Sequence, residues 1–194
     1  MRQALTVEWW KVRHSSVVLT ATALMGILLP AMGLGFYQVA VSGGNGLLAD
    51  KASAFLVGEG WKGYLGLVDQ IAAVAMLLGA GIVVAWAFGR EHVERTFPSL
   101  FARPVSLRVV AVAKFGVMAG WVIALAVTVS TMAVVLGLVG GVGPLSSEVV
   151  PEMARLLTVT SSSAMLALTL GWVASIGRGY LPAIGALIVV IAAA

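Results

Sequence analysis

The sequence contains no cysteine and only two histidines. The first absence excludes disulfides, thiol catalysis and thiolate metal sites. The second leaves His14 and His92 as the whole imidazole supply, too little for an imidazole-rich metal centre. Charge is scarce as well. Charged side chains make up 10% of the 194 residues, against roughly 25% in soluble domains. With 60% of the chain hydrophobic, there is too little polar surface to cover a water-soluble globule. Acidic residues number 8 against 12 basic ones, for a net charge of +4. That surplus does not point to nucleic acid, because the basic residues sit in short segments between apolar runs, as loops of a membrane protein do.

Nucleotide and hydrolase motifs are missing too. There is no G-x-x-x-x-G-K-[ST] phosphate loop and no H-E-x-x-H zinc motif. The stretch Ser42-Gly-Gly-Asn-Gly46 is Gly-rich but lacks the lysine that follows such a loop, and reads as a flexible connector. Both histidines fall outside the apolar runs, so a membrane-embedded Ser-His pair has no histidine to use. Ser161-Ser162-Ser163 read as serines bonding back to their own helix or to a neighbour. No catalytic residue, cofactor site or metal site is expected.

What is present is a series of uncharged apolar runs long enough to cross a bilayer. They lie at about Val17–Val41 with Pro30 inside, Leu65–Phe88, Phe115–Leu138 and Leu156–Ile176. A fifth run, Leu181–Ala194, follows a tight turn at Gly177-Arg178-Gly179-Tyr180. As a helix that run is about 21 Å long, short of a hydrocarbon core of about 30 Å, so the chain is expected to stop inside its fifth span. The fold class is therefore all-α, a single polytopic transmembrane bundle over residues 1–194. Residues 1–16 precede the first span; Trp9, Trp10, Lys11 and Arg13 suit a segment lying at the headgroups, although Leu5, Trp9 and Val12 share a face that Val7 and Trp10 do not.

Lysine and arginine give the orientation. Arg2, Lys11, Arg13, Arg90, Arg95, Arg103, Arg108, Lys114 and Arg178 fall on one side, and only Lys51, Lys62 and Arg155 on the other. The positive-inside rule then puts the N-terminus and the 89–114 loop in the cytoplasm of a cell-membrane protein. Asp69, a few residues into the second span, reads as a structural anchor near the outer interface rather than a transport group. Gly116 with Gly120, and Gly137 with Gly141, have the small-x-x-x-small spacing that lets helix backbones approach.

The stretch from Phe88 to Phe115, FGREHVERTFPSLFARPVSLRVVAVAKF, is unlike a passive connector. Arg90, Glu91, Glu94 and Arg95 can pair at helical spacing. Phe97, Leu100 and Phe101 form an apolar patch rimmed by charge, which suggests a docking surface for a soluble partner. Ser106 is placed to cap the third span. The order Glu91, Arg95-Thr96, Leu100-Phe101, Pro104-Val105-Ser106, Arg108 and Lys114 resembles the membrane subunits of type-2 ATP-binding-cassette (ABC) transporters. The opening Glu8-Trp9-Trp10-Lys11-Val12-Arg13 is similar to that family's N-terminal segment.

The resemblance implies a permease with six spans, partnered by a separate ATP-binding subunit and by a second permease subunit, identical or related. It implies that Glu91, Thr96, Phe97, Leu100 and Phe101 dock the ATPase, with Arg103 and Arg108 orienting the segment. ATP hydrolysis would then belong to the other subunit, and the cargo would be a drug, peptide or similar compound moved outward. A membrane scaffold or sensor that holds a cytoplasmic partner without transport is the alternative.

Overall fold

The structure, a computed structural model, describes residues 2–42, 46–94 and 106–193. Among these residues there are helices and turns but no strand. The helices are α1 (Arg2–Arg13), α2 (Ser16–Val41), α3 (Leu47–Phe55), α4 (Gly60–Val93), α5 (Leu107–Val139), α6 (Val149–Ala167), α7 (Thr169–Ile176) and α8 (Tyr180–Ala193). Among the described residues four stretches are long and apolar enough to cross a membrane: α2, α4, α5 and the joined pair α6–α7. The shorter apolar α8 follows them. A polytopic helical bundle is therefore the fold, as composition and run length require.

Helix boundaries overrun the apolar runs wherever charge begins. The second run was bounded at Leu65 and Phe88, yet α4 has 34 residues. It is about 51 Å long against a hydrocarbon core of about 30 Å. Its charge-free part, Gln70 to Gly89, is about 30 Å long and accounts for the membrane. The third run began at Phe115, whereas α5 starts at Leu107. Charged residues leave the lipid but do not end a helix, so a hydropathy boundary understates the helical length. The fourth span starts early, at Val149, because Pro151 sits in the first turn, where its missing N–H costs no hydrogen bond. At Leu168 two bonds of the 3₁₀ type join α6 to α7: Leu168 N–H to the Met165 carbonyl and Gly171 N–H to the Leu168 carbonyl, both at 3.0 Å. The stretch from Ser42 to Tyr64 reads in sequence as a polar, Gly-rich loop, but it contains α3 and the first turn of α4.

The chain forms two compact units. One comprises residues 1–22, 76–124 and 163–194; the other comprises 23–75 and 125–162. In the first, Met76, Ala80, Val83 and Val84 of α4 are buried with Ala113, Met118 and Val122 of α5. In this unit α7 and α8 pack together, and Gly89 of α4 lets the Gly179–Tyr180 backbone come close enough that a Cβ would collide with it. In the second unit the core is aromatic. Tyr64 lies edge-on to Tyr37 and Trp61, with ring centroids 6.0 and 6.1 Å away, and its hydroxyl donates to the Ala133 carbonyl at 2.9 Å. Trp61 Nε1–H donates to the Pro144 carbonyl at 2.8 Å.

One glycine pair read from spacing does not form a packing motif. Gly137 is indeed at a close approach, where a Cβ would come within 2.6 Å of the Trp61 ring. Gly141, however, lies beyond the end of α5 with φ +73°, a left-handed residue that closes the helix end and shares no helix face with Gly137.

Candidate functional site

The charged groups of the first unit gather where α4 passes beyond its charge-free stretch. α1 contributes from an unexpected side. The residues it turns inward are Ala4, Glu8, Lys11, Val12 and, just past its end, Ser15, with Glu8 and Ser15 buried and the other three half-buried. Their spacing of three and four makes one helical stripe. Its apolar residues Leu5, Val7, Trp9 and Trp10 are exposed. The helix is amphipathic in the inverted sense: the charged stripe faces protein and the aromatic face is turned outward.

On this stripe begins a chain of four alternating charges. Glu8 Oε1 accepts from Lys11 Nζ at 2.6 Å, and the same ammonium lies 3.1 Å from Glu91 Oε1 on α4. The other Glu91 oxygen, Oε2, lies 2.9 Å from Lys114 Nζ on α5. Lys114 also donates to the Ala87 carbonyl at 3.2 Å and sits 5.4 Å from the Phe88 ring centroid, which itself stacks at a tilt on Phe115. Two carboxylates and two ammoniums cancel, as a buried cluster must to be tolerated. Glu91 is the hub, since each of its oxygens serves a different helix.

This arrangement corrects one expectation. Lys114, placed at the end of a cytoplasmic loop, is inside α5 and its side chain is 8% exposed. Arg90 lies over the ring of Trp86, one turn back on α4, at 4.8 Å, and Glu91 reaches across to α1 and α5. Ser106 does cap α5, receiving the Val109 N–H on its carbonyl at 3.0 Å and, more weakly, on Oγ at 3.5 Å. Arg108 is exposed in the first turn of α5. Thr96, Phe97, Leu100, Phe101 and Arg103 lie outside the described residues. Gly116 and Gly120 both face outward on α5. A Cβ on Gly116 would meet only Leu5, at an ordinary 3.9 Å, and one on Gly120 would meet nothing within 4 Å.

In the sequence Glu8 stands only as part of the opening segment, with no role of its own. Its signal was available: Glu8 and Lys11 are opposite charges three apart on the stripe that continues to Ser15. A search for an apolar face passes over it.

In the second unit Asp69 is tied to α6. Its Oδ2 lies 3.3 Å from Arg155 Nη2, and Arg155 Nη1 lies 3.8 Å from Glu152. Asp69 Oδ1 is buried and makes no hydrogen bond among the described residues. A helix-to-helix tie is what this geometry provides.

Four lipid-length helices, followed by a shorter apolar one, define a multi-pass integral membrane protein. A family model for ABC-2 family transporter proteins matches residues 4–193. The chain thus belongs to that family and is a membrane permease component of an ABC transporter. No curated protein and no solved structure matches it.

Proposed function

We propose that this permease couples to a separate ATP-binding subunit through residues 89–114, pairs with a second permease subunit, and moves a drug, peptide or similar compound out of the cell. One observation carries the reading. The two helices that border residues 94–106 are fixed to each other and to α1 by a single carboxylate, Glu91. A push on the segment between α4 and α5 is thereby passed to all three helices at once, which is what coupling to ATP closure needs. Thr96, Phe97, Leu100 and Phe101 supply the docking patch, and Arg103 and Arg108 orient it. The nine-to-three distribution of Lys and Arg supports a cytoplasmic N-terminus and a cytoplasmic docking segment. Outward-facing Gly116 and Gly120 offer a close approach to a second subunit.

The experiment is to purify the tagged protein from its native membrane and ask whether a Walker-motif ATPase accompanies it. A parallel sample carries Leu100→Asp and Phe101→Asp. Co-purification that disappears in the double variant, with the membrane protein still monodisperse, supports docking at this segment. An ATPase that binds the variant equally well refutes the docking residues. A bound partner without stimulated nucleotide turnover moves the scaffold reading ahead.

A further inference from the structure

The second unit contains a cavity of about 420 Å³, within the range of small-molecule sites. Its apolar wall comes from Phe36 of α2, Leu48, Ala52 and Phe55 of α3, and Leu67 and Ile71 of α4. The geometry behind it is simple. On α3, positions 48, 51, 52 and 55 form one helical face; on α4, positions 67, 70 and 71 form another. Ala52 is buried, and Gln70 Nε2 donates to the Phe55 carbonyl at 3.1 Å, so α3 is held to α4 at its C-terminal end. Only Lys51 and Gln70 contribute polar groups to the lining.

We propose that this cavity holds one acyl chain of an anionic phospholipid, whose phosphate rests on the Lys51 ammonium. The proposal stands on the membrane placement of the chain and not on the coupling or export reading. Three observations carry it. Leu48 and Phe55, at the edge of the cavity, are 70% and 61% exposed, as are Leu47 and Val57 beside them at 72% and 67%, so the surface around the opening suits hydrocarbon rather than water. The lining lacks the convergent polar groups that would orient a polar small molecule. Among the described residues no carboxylate pairs with Lys51; the ion pairs of this unit join Arg155 to Asp69 and to Glu152. Lys51 is exposed and lines the cavity, and a lysine stem can lie along apolar surface while its ammonium meets a headgroup. α3 also lies in the sequence between the end of α2 and the start of the charge-free part of α4, where a chain passes from hydrocarbon to headgroups.

The test uses the full-length protein in detergent, titrated with phosphatidylglycerol or phosphatidylcholine of identical chains and read by native mass spectrometry. Phosphatidylglycerol is expected to bind about five-fold more tightly, the preference that one lysine near an anionic headgroup supplies. Lys51→Gln should abolish the preference, while Lys62→Gln, outside the cavity, should keep it. Ala52→Phe or, from the α4 side, Ile71→Trp should remove adducts of both lipids by filling the space. Soluble glycerol phosphate should not displace the lipid. Equal binding of the two lipids to the wild type, retention of adducts in both filled variants, or displacement by glycerol phosphate overturns the proposal. So does a lipid-free dimer by light scattering that dissociates on Leu48→Asp, which would give the face to a second copy.

Discussion

Replacing Glu91 with glutamine tests the charge chain at its hub. The side chain keeps its size and one carbonyl oxygen, but its charge is lost between two ammoniums at 3.1 and 2.9 Å. Lys11 is protected, because it is 29% exposed and retains Glu8 at 2.6 Å. Lys114 is not. At 8% exposure its ammonium keeps, among the described residues, only the Ala87 carbonyl and the Phe88 ring. Removing one partner of a fully buried pair costs about 3–5 kcal/mol. With the carbonyl contact and the retained amide dipole offsetting part of that, about 2–3 kcal/mol is expected here. For a chain of this size that lowers Tm by about 5–10 °C. Tryptophan fluorescence or circular dichroism of the purified protein on heating reads the shift. Lys114→Met alone should also destabilise, because it leaves Glu91 with one cation fewer. The double variant should be more stable than Glu91→Gln alone, since no buried cation is left without its counter-charge. If Glu91→Gln leaves Tm unchanged, or if adding Lys114→Met lowers it further by the full single-variant amount, the two residues do not act as a buried pair and the reasoning fails.

Four further outcomes follow from the second unit. Arg155→Ala should destabilise more than Asp69→Asn, because the first leaves a buried carboxylate without its cation and the second removes the buried charge itself; the same thermal assay compares them, and the reverse order would sink the tie as described. Asp69→Asn should cost under about 1 kcal/mol, since its partner Arg155 is 59% exposed and can be hydrated. Gly137→Ala should cost about 1–3 kcal/mol, because the new methyl carbon would come within 2.6 Å of Trp61 and 2.7 Å of Tyr64; a perturbed tryptophan emission spectrum would accompany the lowered Tm. Tyr64→Phe should cost about 1 kcal/mol, the net worth of its hydrogen bond to Ala133, and an unchanged Tm would show that bond to be of no consequence.

The spans were legible in the sequence because lipid imposes the simplest of patterns: a charge-free run of sufficient length has one stable form. The ends of the helices were not, because outside the hydrocarbon a charged residue is as compatible with helix as with loop. Lys114 shows the difference. Its charge placed it in a connector, whereas it lies in the second turn of α5 facing Glu91. The family likeness rests mainly on residues 88–115, and the structure describes only the two borders of that stretch, so its central patch is known by sequence alone. Glu91 was singled out as a docking residue; its engagement with Lys11 and Lys114 could not be read from spacing, because the three residues come from three helices. Asp69 was read as an anchor, and its contact with Arg155 is of that kind, although the identity of the anchor partner required the fold.

The inverted stripe of α1 has a physical logic that follows from its solvent. Between helices in lipid there is no hydrophobic driving force, since a leucine gains little by exchanging an acyl chain for a neighbour. A helix in lipid with two apolar faces would have no reason to present one of them to protein. Glu8 and Lys11 remove that ambiguity, because only one face can satisfy them, by meeting Glu91 and, through it, Lys114. Trp9 and Trp10 are then left on the outward side of α1, where the interfacial segment expected from the sequence would have them. The charged stripe therefore contributes less to net stability than to fixing which way α1 is turned, and a variant with Glu8→Leu and Lys11→Leu should retain its helix while losing a unique seating against α4 and α5. Cross-linking between cysteines introduced at Val12 and Val117 would report this, with one sharp product in the parent and a diminished or mixed yield in the variant. An undiminished yield would mean that shape alone seats the helix.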